Sequence, residues 1–130
     1  MDELLVDKTK RTAALYFEGV RDEKPFALWK AFDPELAKDF SLFITGKMYA
    51  REKLPHPTRQ LVTVAALTVL GRTEELKLHL QAGLNVGCSV EELAETIFQT
   101  AVYGGVPAMN AALKTLRDVL REKGMWQEAP

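Results

Sequence analysis

The chain is predicted to be all-α, and three observations predict it. Apolar residues recur at helical spacing in segment after segment. Glycines, prolines and capping residues bound those segments. Neither an alternating strand pair nor a hairpin turn is found. The segments give about six or seven helices in one bundle. At 130 residues the chain fits a single domain, 1–130. A chain of this size buries roughly two-thirds of its unfolded surface, enough for a core without staples.

From the start, Met1–Val6 reads as a loose lead-in. Asp7–Val20 sets Ala13, Ala14, Tyr16 and Phe17 among lysines and arginines, a first amphipathic helix. Pro25–Phe32 carries Phe26, Leu28, Trp29 and Phe32, one or two helical turns with an aromatic face. Asp33-Pro34-Glu35 is a helix start: a cap, a first-turn proline and a first-turn acid. Leu36, Phe40, Phe43, Ile44 and Tyr49 continue it to about Ala50.

Arg51–Pro57 is a break, with Pro55 and Pro57 flanking His56. Thr58–Leu70 is very apolar. Its β-branched residues suit a strand, but its length and the closing Gly71 favour a helix buried nearly all round. Thr73 can cap the next helix, with Glu74 and Glu75 in its first turn and Leu76, Leu80 and Leu84 as its stripe. Gly87 ends it. Ser89 and Glu92 have capping-box spacing, and Leu93, Ile97, Phe98 and Ala101 give the apolar face that follows. Gly104-Gly105 and Pro107 separate a last helix, which runs to Lys123 with Leu113, Leu116, Val119 and Leu120 inward. Met125–Pro130 is a tail.

Composition excludes several function classes. A net charge of −1 gives no electrostatic reason for a nucleic-acid or membrane partner. Leu61–Leu70 is too short to span a bilayer. The single cysteine, Cys88, rules out an internal disulfide and suits a reducing cytoplasm. No metal cluster, phosphate loop or nucleophile elbow is present, so no cofactor is expected.

Candidate chemistry centres on His79, the residue best suited to proton transfer near neutral pH. Glu75 lies four residues earlier on the same helix face. The residues alone leave two readings of this pair open, a proton-transfer centre or an ordinary intrahelical contact. Arg72 and Arg59 can grip a carboxylate, and Tyr103 can donate to a carbonyl. The plain alternatives are helix-end surface charges and a core tyrosine. His56 reads as a solvated loop histidine, and Cys88 as a small apolar loop residue.

Taken in order, Gly71-Arg72, Glu75-Leu76, His79, Gly87, Glu91-Glu92, Glu95, Tyr103-x-Gly105-x-Pro107 and Asn110-Ala111 resemble the carboxymuconolactone decarboxylase family. The resemblance runs from about Leu54 onward. It implies an alkylhydroperoxidase D-like helical fold, places His79 in the common motif, and implies trimeric or hexameric rings, of which a hexamer is favoured. The apolar faces of Phe26–Tyr49 and Leu61–Leu70 also call for a homo-oligomer. Peroxidase members of the family use Cys-x-x-Cys with a histidine four residues on, and a glutamate in the preceding helix. Aligned on His79, those positions hold Arg72, Glu75 and Gln60, none of which can do that chemistry.

The reading that follows is a cofactor-free decarboxylase acting on a small carboxylated lactone or related aromatic-degradation intermediate. His79 is its acid, Glu75 the orienter, Arg72 or Arg59 the anion clamp, and Tyr103 a donor. The alternatives are a peroxidase-type activity and a non-catalytic oligomeric binder of small molecules.

Overall fold

A computed structural model describes residues 2–128, with side chains from residue 4. Among the described residues the protein is all-α. Its helices are α1 (Asp2–Phe17), α2 (Pro25–Phe32), α3 (Pro34–Ser41), α4 (His56–Leu70), α5 (Thr73–Asn85), α6 (Val90–Gly104) and α7 (Val106–Glu122). A π-helical segment, Leu42–Tyr49, continues α3 without a break. The lead-in expected over Met1–Val6 is helical from Asp2 on, and Met1 lies outside the described residues. Of the expected tail, 129–130 lie outside them too.

The predicted boundary chemistry operates at most ends. The Leu36 N–H donates to Asp33 Oδ1 at 3.0 Å, capping α3. Gly71 closes α4 at φ 71°, in the left-handed region where a Cβ would be strained. Ser89 and Glu92 form a complete capping box, with bonds of 2.9 and 3.0 Å. Thr73 does not cap α5. It is the first helical residue, and Arg72 takes the capping position without a side-chain bond.

The core lies where α4 to α7 meet. Val64, Leu76, Leu80, Cys88, Leu93, Ile97, Ala112, Leu116, Val119 and Leu120 form one buried cluster. Helix α4 buries one face into it, not its whole circumference. Gln60, Val64 and Thr68 are buried, while Val62 (58% exposed) and Leu70 (66%) face outward. Phe98 of α6, expected inward, is half-exposed and lies on the outer side with Val102 and Tyr103. Helical period alone fixes which residues share a face; the neighbours decide which face is covered.

The first half of the chain packs over α5. The Asn85 amide donates to the carbonyls of Tyr16 and Glu18, both at 2.8 Å, and fixes the end of α1. Gln81 donates to Asp22 at 3.1 Å, and Lys77 pairs with Asp22 at 3.5 Å. The π segment lies close against α1 at Gly46. A Cβ there would sit 2.1 Å from Thr9 Oγ1 and 2.9 Å from Leu5 Cδ1. Gly46→Val should therefore force the two helices apart. We expect a loss of about 1–3 kcal/mol in denaturant unfolding, the usual range for overpacking. A variant of unchanged midpoint would show that Thr9 and Leu5 simply turn aside.

Candidate active site

His79 projects from α5 into a cavity of about 1260 Å³ walled by α1, α2, the α3–π rod and the inner face of α4. Its position follows from the α5 pattern. Leu76 and Leu80 face the core, so the residue before Leu80 turns toward α1. The ring is flanked by aromatics. Tyr49 stacks beside it, with centroids 6.2 Å apart and planes at 23°, and Phe17 meets it edge-on at 6.3 Å.

The ring's hydrogen-bond partner is Gln60. Nδ1 lies 3.2 Å from Gln60 Oε1. Gln60 is fully buried, and its Nε2 has no partner among the described residues. An unpartnered buried amide is costly, and a bound acceptor would relieve that cost. Burial pushes the His79 pKa down to about 4, against the opposing pull of the Glu75 charge. The imidazole is therefore neutral near pH 7.

Tyr16, from α1, lines the same cavity. Its hydroxyl lies 2.6 Å from His56 Nδ1, and the two rings pack edge to face at 5.1 Å. Burial raises the phenol to about 12, partly offset by the nearby Gln60 amide dipole and Arg59 charge. His56 is thus a half-buried partner of Tyr16 at the start of α4, not a solvated loop histidine.

The residues singled out by sequence lie as follows. Glu75 is exposed and acts on His79 through its charge. Arg59 is half-buried, donates from Nη2 to the Arg51 carbonyl at 3.1 Å, and carries a buried Nε without a partner. Arg72 is exposed at the start of α5 and does not line the His79 cavity. Tyr103, 78% exposed, lines a separate groove between α4 and α6 with Val62, Val69 and Thr100. Tyr16, Tyr49 and Gln60 were missed as site residues. The position of Gln60 one helix before His79 was the available signal; nothing local marks the two tyrosines.

Cys88 is 4% exposed, and its thiol donates to the Pro57 carbonyl at 3.3 Å. Burial pushes it up to about 11, so little thiolate forms near neutral pH. Cys88→Ser should leave turnover within a few-fold of the parent. A folded variant without activity would reveal a nucleophile.

No group of His, Cys, Asp and Glu among the described residues has metal-site geometry. No helix described is long and apolar enough to cross a membrane.

Comparison with known proteins bears on the family. The chain is 39% identical over 97 residues to a 4-carboxymuconolactone decarboxylase of Acinetobacter baylyi, covering 75% of this chain and 72% of that one. It is 38% identical over 92 residues to an uncharacterised 15.0 kDa protein of Paracoccus denitrificans, covering 69% of each. The carboxymuconolactone decarboxylase family profile matches residues 34–118, which include Gln60, Glu75 and His79. The chain belongs to the carboxymuconolactone decarboxylase family.

Proposed function

We propose that the protein is a cofactor-free decarboxylase acting on a small carboxylated lactone or a related intermediate of aromatic breakdown. The observation that carries this is the His79–Gln60 pair in the cavity wall, with the Gln60 amide nitrogen unpartnered. Family membership supports the reaction class.

The chemistry uses few groups. An anionic carboxylate entering the cavity raises the pKa of the neutral His79, because an opposite charge favours the protonated ring. Protonated His79 holds Nδ1–H on Gln60 Oε1 and turns Nε2–H to the substrate. The bond from the substrate carbon to its carboxylate breaks, and carbon dioxide leaves. The electron pair runs into the conjugated carbonyl, whose oxygen becomes negative. Gln60 Nε2 donates to that oxygen. His79 then delivers its proton to carbon, so each turnover consumes one proton from solvent. Glu75 holds positive charge on the ring by its field. Arg59 supplies positive potential near Tyr16. Arg72 and Tyr103 lie outside this cavity, so any part they play is across a boundary between copies. Carbon dioxide release from carboxylated lactones, run beside organic hydroperoxide reduction, tests the proposal. Peroxide turnover without decarboxylation would defeat it.

A homo-oligomer, trimeric or hexameric, belongs to the same proposal. Val62, Leu70, Phe98, Val102 and Tyr103 expose apolar surface on α4 and α6. Light scattering at micromolar concentration should give three or six times the chain mass; a monomer would count against it.

A further inference from the structure

We infer that Tyr16 is a second donor, beside Gln60, to the oxygen that becomes negative as carbon dioxide leaves, and that His56 is the positioning residue that turns its hydroxyl to that task. This rests on the decarboxylase reading of the same cavity.

The placement comes from α4. His56, Gln60 and Thr63 follow one another at spacings of four and three, so they share one helix face. Each holds one ring from another element. His56 meets Tyr16 of α1 at 2.6 Å, Gln60 meets His79 of α5 at 3.2 Å, and Thr63 meets Tyr49 of the π segment at 2.8 Å. Tyr16 and His79 therefore meet α4 one turn apart, with the Gln60 amide near both. Tyr16, Gln60 and His79 all line the cavity.

Hydrogen counting separates the two tyrosines. Thr63 has one hydroxyl hydrogen and donates it to the Arg59 carbonyl at 3.2 Å. The Tyr49 hydroxyl then donates to Thr63 and has no hydrogen left for a ligand. Tyr16 is not committed in this way, because its partner is a histidine nitrogen, which accepts in one tautomer and donates in the other. With Nδ1 bare, Tyr16 donates to it. With Nδ1–H, His56 donates to the phenol oxygen, and the phenol hydrogen is free to turn into the cavity. A developing oxyanion favours the second arrangement. His56 is half-buried, so its ring can exchange protons with water and change tautomer. Burial keeps the phenol protonated near neutral pH, so the hydrogen is there to donate. No proton changes owner at this oxygen. Two hydrogen bonds hold its charge until His79 protonates carbon and the electron pair returns. Tyr16 precedes Pro34, where the family match begins, whereas Gln60 and His79 lie inside it. One donor thus comes from the matched part of the chain and the other from α1.

The test combines carbon dioxide release from an unsaturated lactone carboxylate with calorimetric binding of tetronate, the enolate anion of a five-membered lactone. Tyr16→Phe keeps the ring that packs on Tyr49 and His56. It should lower kcat about a hundredfold, the scale of one lost oxyanion donor, with KM little changed. It should weaken tetronate about tenfold or more, as expected for one hydrogen bond to a charged group. Tyr49→Phe should cost about tenfold less in kcat than Tyr16→Phe, since its hydroxyl is already given to Thr63. His56→Ala should lower kcat about tenfold in the parent and hardly at all in Tyr16→Phe, because it acts through the phenol. His56→Asn, whose amide N–H can stand in for Nδ1–H, should recover most of that loss. If Tyr16→Phe does not fold, the two His56 variants decide, and equal kcat in them would overturn the inference. Parent-like kcat and tetronate binding in Tyr16→Phe would overturn it and leave the decarboxylase reading standing. Tyr16-dependent tetronate binding in a parent that releases no carbon dioxide would overturn the decarboxylase reading and keep Tyr16 as a donor to an enolate. Neither binding nor release would overturn both.

Discussion

His79→Ala should lower turnover by about a hundredfold or more, the usual scale for a general acid–base group. The alanine chain keeps the cavity and the Gln60 amide, so substrate binding should change less than kcat. Glu75→Gln should be milder. It removes a charge that favours protonated His79 but leaves the proton carrier in place. The pH profile separates this role from mere packing. In the free protein His79 is protonated only near pH 4, because burial disfavours the charged ring. Above that, kcat/KM should fall about tenfold per pH unit while the substrate carboxylate stays ionised. Bound carboxylate raises the histidine, so kcat should stay level to higher pH before it falls. A structural histidine would give no such split. Full activity in His79→Ala would remove the ring from the reaction.

The same burial makes stability depend on pH. An unfolded histidine titrates near 6.5, and the folded one near 4. The folded state therefore favours the neutral ring. Its advantage is fully present above about pH 6.5 and is lost as pH falls through 4. A gap of about 2.5 units corresponds to at most about 3 kcal/mol, less whatever local relaxation recovers. Urea unfolding of parent and His79→Gln at pH 7 and at pH 4 isolates the effect, since the carboxylates titrate alike in both. The parent should lose up to about 3 kcal/mol more than the variant. Parallel losses would mean that the ring can take a proton without leaving its site.

Much of the fold was legible because helix ends are local chemistry. Asp33, Gly71, Ser89 with Glu92, and Pro107 act within a few residues of themselves, and the structure uses each one. Thr73 was misread because Arg72 takes the capping position before it without a side-chain bond. Burial was less legible. Val62 and Phe98 are apolar at helical spacing, yet both face outward, since covering depends on partners distant in sequence. The site divides the same way. His79 and Glu75 share one helix and were readable from spacing. Tyr16 meets His56 across 40 residues, and Gln60 meets His79 across 19. Such pairs come from packing α1 and α4 around α5, and no local pattern encodes them. Gln60 entered the sequence argument only as a lost peroxidase glutamate; in the fold it is the partner of the histidine.

The wide turn ahead of the break at Arg51 has its own consequence. Its closing bond runs from the Ala50 N–H to the Thr45 carbonyl at 2.9 Å, five residues back instead of four. The rod thus accommodates one residue more than an α-helix of equal rise. Removing one residue between Leu42 and Met48 would let ordinary winding resume with both ends still in register, whereas adding one there would rotate everything after it by roughly a quarter-turn or more. Tyr49 would swing away from the histidine ring, and its 2.8 Å bond to Thr63 would break. Sequence length in this short rod therefore behaves as a register: a single-residue insertion should disable the site more thoroughly than most substitutions there, while leaving the core between α4 and α7 in place.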